Sequence, residues 1–169
     1  MNRLMTAIVL TVVCLWAETP EIQPFQTKKF YSMNYDRNTT GLVRHLKVYK
    51  APEWVAKISV RNGKTVFFSS PKSLFEFYHR PGKWFDVGVK NEKDFSEIVV
   101  TDYGTHKPIN AETAFYVYGS TAISPSGDDL VPFATEEAAE KFSKLNSGKR
   151  ILKFDEVKDS LIRLLNGRI

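Results

Sequence analysis

Sulfur is scarce in this chain: its 169 residues hold one cysteine, Cys14, and three methionines. A single thiol excludes intramolecular disulfides, so the fold has to be stabilised by packing alone. Paired-cysteine metal motifs are excluded for the same reason. Basic residues outnumber acidic ones, 24 to 19, but no run of five or more Lys and Arg occurs. The surplus therefore reads as a mildly basic surface and not as a nucleic-acid footprint. The chain has no G-x-S-x-G, no H-E-x-x-H and no glycine-rich phosphate loop, and no pair of carboxylates is marked for acid–base work. These absences argue against an enzyme.

The first residues have a recognisable order. Arg3 supplies a positive start, and Met5 to Trp16 then runs without a charge before the small residue Ala17 and the polar Glu18-Thr19-Pro20. A stretch of this length suits the apolar core of a secretory signal and is too short for a membrane span of about 20 residues. Residues 1–17 are therefore expected to be a signal peptide, and 18–29 a polar, proline-containing linker. Lipid attachment at Cys14 is not expected, because Val13 before it is branched where a small residue is needed. Cleavage after Ala17 removes Cys14, the only thiol, and places the remaining domain in the periplasm.

Past the linker, alternation and turn chemistry mark the elements. Trp54 to Val60 reads as a strand, Arg61-Asn62-Gly63-Lys64 as a type I′ turn, and Thr65 to Phe68 as the returning strand. Ser70 caps a helix with Pro71 at its first position, and Leu74, Phe77 and Tyr78 form an apolar stripe. Glu97 to Thr101 is a further strand. The second half follows the same order: Ala114 to Tyr118, Asp129 to Phe133, a helix capped by Thr135, then Arg150 to Phe154. At a constant offset of 65 residues, Phe68 aligns with Phe133, Ser70 with Thr135 and Phe77 with Phe142. The expected fold is α+β: two tandem ββαβ units, 30–105 and 106–169, packed together with a cleft between them. A C-terminal helix from Phe154 to Leu165 should turn Leu161, Leu164 and Leu165 inward.

Three stretches carry a family resemblance: Phe67-Phe68-Ser69-Ser70-Pro71-Lys72-Ser73; Thr101-Asp102-Tyr103 with Pro108-Ile109-Asn110-Ala111; and Ser124-Pro125-Ser126-Gly127 with Leu130 to Ala134 and Arg150 to Asp155. Together they resemble the NosL family, accessory proteins of nitrous oxide reductase maturation, over roughly Phe30 to Val157. That resemblance implies a fold related to organomercurial lyase, a periplasmic role in Cu(I) delivery, and a client copper enzyme or another accessory protein as partner. It also implies sulfur ligands, a Cys-x-Met pair and a loop methionine, since soft donors suit Cu(I). Here the pair falls at Tyr31-Ser32-Met33 and the loop position at Ser126, so only Met33 keeps its sulfur. Imidazole also serves copper, and His45 and His106 are the candidates to complete a site with Met33. His79 reads as a helix-terminal residue, and Asp102 and Tyr103 as loop-orienting ones. The alternative is a metal-free relative that kept the scaffold as a protein-binding module.

Overall fold

The computed structural model describes residues 30–167; the expected signal peptide with Cys14 and the expected linker lie outside them. Alternating apolar residues build the first sheet. Strands β1 (Ala56–Val60), β2 (Thr65–Phe68), β3 (Phe95–Thr101) and β4 (Pro108–Asn110) pair antiparallel in the order β2-β1-β3-β4. A second sheet contains β5 (Phe115–Ser124), β6 (Gly127–Phe133) and β7 (Arg150–Lys153) in the order β6-β5-β7. Helix α1 (Pro71–His79) follows β2, α2 (Glu136–Leu145) follows β6, and α3 (Asp159–Leu165) closes the described chain. Fold class is thus α+β.

Both longer helices start where capping chemistry puts them. Ser70 Oγ accepts from the Ser73 amide at 3.3 Å, and Thr135 Oγ1 accepts from the Ala138 amide at 3.2 Å. Each cap satisfies one of the otherwise unpaired first-turn N–H groups. Their surroundings differ. Helix α2 lays one face on the second sheet, where Ala139 joins Val117, Val131 and Phe133. Helix α1 is buried on every side from Pro71 to Phe77, because it lies between the two sheets. Phe77 meets Phe68 of the first sheet at 5.6 Å between ring centroids, and Phe75 meets Tyr116 of the second at 5.2 Å. Ile58, Val100, Leu130, Leu152 and Ile162 join them in one continuous core. Each buried aromatic contributes about 1.5–3 kcal/mol.

Four local expectations change. The Asn62-Gly63 turn is not type I′: only Gly63 takes a positive φ, 89°. The Gly63 amide donates to Val60 O and the Val60 amide to Lys64 O, which makes a type I turn followed by a left-handed bulge residue. Asn62 is thereby released to donate to Val87 O at 3.0 Å. The last helix starts at Asp159, not Phe154, after a 3-10 turn at Phe154–Glu156. Its buried residue is Ile162, whereas Leu164 is exposed. Finally, β4 pairs with β3, so residues beyond 105 complete the first sheet.

Candidate functional site

The chain reaches the first sheet as an extended strip. Along residues 31–35 burial alternates: Tyr31, Met33 and Tyr35 are half-buried, Ser32 and Asn34 exposed. This is the two-residue period of extended chain lying on a surface. Tyr35 sets its ring edge against Phe67 of β2 at 6.1 Å. Ser32 Oγ accepts from Lys57 Nζ at 3.4 Å, and the same buried ammonium pairs with Glu97 at 3.2 Å. The strip therefore crosses the sheet face opposite α1.

The other wall is the β3–β4 turn. Asp102 Oδ1 accepts from the Thr105 amide (2.7 Å) and hydroxyl (2.9 Å), while Oδ2 accepts from the Ala134 amide at 2.6 Å. One carboxylate thus shapes the turn and ties it to the end of β6. The turn closes with His106 N–H on Asp102 O and Asp102 N–H on Lys107 O, both 2.8 Å. It holds His106 at φ 57°, in the left-handed region, which His enters more readily than most residues. Tyr103 packs inward against Trp54 and Phe142, at 5.1 and 5.4 Å. Both residues orient the loop, as expected.

Between strip and turn lies a cleft of about 410 Å³, with Tyr31, Met33, Thr101, His106 and Pro108 in its lining. Met33 and His106 are far apart in sequence and share this cleft. A thioether and an imidazole facing one space suit a soft ion such as Cu(I). Among the described residues no group of three His, Cys, Asp or Glu side chains is placed to hold a metal. A second, more apolar cleft of about 700 Å³ shares Tyr31 and Pro108 with the first and continues past Ile109 to Ala134.

His45 and Ser126 do not line the Met33 cleft. His45 sits exposed on the turn after Gly41, at φ 55°, its amide donating to Gly41 O at 2.9 Å. Ser126 is at the tip of the β5–β6 hairpin, where its hydroxyl lies 3.3 Å from Ser69 Oγ and 3.4 Å from Ser73 Oγ. Around it is a buried network that sequence reasoning missed. Lys72, only 2% exposed, donates through Nζ to Ser126 O at 2.7 Å and to Leu165 O at 3.3 Å. Asp129 accepts from the Lys72 amide at 2.7 Å and from Ser124 Oγ at 2.7 Å. Burial lowers the Lys72 pKa, opposed by the Asp129 charge. Burial raises that of Asp129, opposed by its hydrogen bonds from Ser124, Leu130, Ser70 and Lys72. No apolar period flags such a network; its sequence signal was a lysine in the first turn of a helix that carries Leu74, Phe75, Phe77 and Tyr78.

Residues 32–162 match the family model described as NosL. Among solved structures, the crystal structure of the copper chaperone NosL from Shewanella denitrificans is similar at a TM-score of 0.67 and 20% identity, covering 79% of this chain and 99% of that one. The solution structure of the apo-NosL protein from Achromobacter cycloclastes gives a TM-score of 0.43 at 20% identity, covering 63% of this chain and 87% of that one. No curated protein matches.

Proposed function

The chain belongs to the NosL family, and from that premise we propose that it is an exported accessory protein that binds Cu(I) through Met33 and His106 and passes it to a periplasmic client. A member of this family has a copper-related accessory role and is not an enzyme. The observation that carries the residue assignment is that Met33 and His106 line one cleft. Copper is cargo in this reading, so a site of few donors fits: two soft or borderline ligands hold the ion, and an incoming ligand displaces them readily. Tyr31 stands in the lining where the resemblance put a cysteine, which leaves the site with less sulfur. Nitrous oxide reductase is the client that the family resemblance suggests. The adjoining apolar cleft lies beside the site, where a client would approach.

The test is a Cu(I) titration of residues 18–169 against a competing chelator. Met33→Ala and His106→Ala should each weaken binding at least ten-fold, about 1.4 kcal/mol, while His45→Ala leaves it unchanged. Affinity equal in all four proteins overturns the copper site and favours the metal-free, protein-binding alternative. Tyr31 and the internally bonded Ser126 hydroxyl support that alternative.

A further inference from the structure

At the end of the first sheet away from the Met33 cleft, three segments are joined into one surface. Asn62 Nδ2 donates to Val87 O at 3.0 Å, and Lys64 Nζ donates to Asp86 O, which fasten the β1–β2 turn to the loop after α1. The Arg61 amide donates to Asp94 O at 2.8 Å and its Nε to Lys93 O at 2.9 Å, which fastens the same turn to the loop before β3. From this surface Phe85 projects 86% exposed. Its neighbours Trp84 and Val87 turn inward, Trp84 onto Phe77 at 5.6 Å between centroids. Phe85 is thus held at the tip of an ordered loop by residues that are themselves anchored.

The charge around Phe85 is mainly of one sign. Arg61, Lys64, Lys83, Lys90 and Lys93 are all exposed on the three segments. None forms an ion pair among the described residues. The acids there are Asp86, Glu92 and Asp94. Asp94 turns Oδ2 to the amides of Lys90 and Asn91, at 2.7 and 3.3 Å. Glu92 lines a separate polar cleft with Tyr78 and Glu112. An exposed aromatic ring on a surface whose exposed charges are mainly cationic matches an interfacial membrane contact: the ring enters the headgroup boundary and the cations meet lipid phosphates.

We propose that this face docks reversibly on an anionic phospholipid bilayer through Phe85 and the exposed basic residues of the three joined segments. Strand β3 runs from Phe95 on this side to Thr101, which lines the Met33 cleft, roughly 20 Å at about 3.3 Å per residue. Docking would therefore hold the cleft away from the lipid, open to a partner in the aqueous phase. The inference does not depend on copper binding.

The experiment is co-sedimentation of residues 18–169, which retain every described residue, with vesicles of phosphatidylcholine alone or mixed with phosphatidylglycerol. Tryptophan emission, to which Trp84 and the buried Trp54 both contribute, supplies a second readout. Wild type should bind the mixed vesicles with a blue shift, and raised salt should weaken binding. Lys83→Glu with Lys90→Glu should weaken it at least ten-fold, given about five-fold per basic residue; both are exposed and neither side chain fastens the surface. Phe85→Ser should weaken it about ten-fold. Phe85, Lys83 and Lys90 are exposed, so both variants should keep the wild-type thermal midpoint, and Cu(I) affinity should be unaffected. Equal binding to neutral and anionic vesicles, or full binding by either variant, would overturn the proposal.

Discussion

His79 lies at the end of α1 with its Nε2 2.8 Å from Val157 O and its ring stacked on Phe75 at 6.1 Å. A carbonyl only accepts, so Nε2 carries the proton and the ring is satisfied while neutral. Burial lowers its pKa, opposed by the Val157 hydrogen bond and by Asp159. The folded state therefore binds fewer protons than the unfolded one near and below the ordinary histidine value of 6.5. Its contribution is fully present above that value and is lost as pH falls through it toward the lowered folded value. Wild type should show a larger drop in thermal midpoint between pH 7.5 and 5.5 than His79→Gln, which keeps a donor for Val157. Parallel curves would refute the assignment. The helix-terminal position of His79 was legible from the adjacent Pro81-Gly82. Its burial was not, because the element that covers it lies 78 residues further on.

At the scale of elements, α1 is the clearest case of a start fixed by its own sequence and a burial fixed by its neighbours. Ser70→Ala removes the cap and a hydrogen bond to buried Asp129. The expected loss is about 1–2 kcal/mol, read as a lower urea midpoint with unchanged slope; an unchanged midpoint would count against the cap. Ser70-Pro71 and Thr135 were legible because a cap reaches only three residues along the chain. Phe75 was not, since a stripe at i, i+3 and i+4 describes a helix with one covered face, and α1 has two. Strand β4 was missed because three residues beginning with a proline carry no alternation; Pro108 is tolerated at the sheet edge. Ile162 was missed in favour of Leu164 because both flank the Leu161–Leu165 stripe, and only packing on the core decides which flank is covered. The sequence offered His45 and His106 alike beside Met33; that His106 shares a cleft with Met33 was not legible, since only the crossing of the strip over the sheet puts both in one lining.

Across the whole molecule one core takes residues from both sheets and all the way to α3. Neither sheet covers its inner face without α1. Calorimetric unfolding of residues 18–169 should therefore be a single transition whose calorimetric and van't Hoff enthalpies agree. Two resolved transitions would mean that the sheets are separable.

The threads that close this core join residues of the first sheet's half to α3 and the turn before it. Arg44 donates to Glu76 and to Asn166, Lys72 reaches Leu165 O, and His79 reaches Val157 O. Such distant partners make folding slow and late. During synthesis the chain stays without its keystone until α3 and the turn before it have left the ribosome. If the chain is exported as proposed and threaded through a membrane pore before it folds, that delay would keep it translocatable.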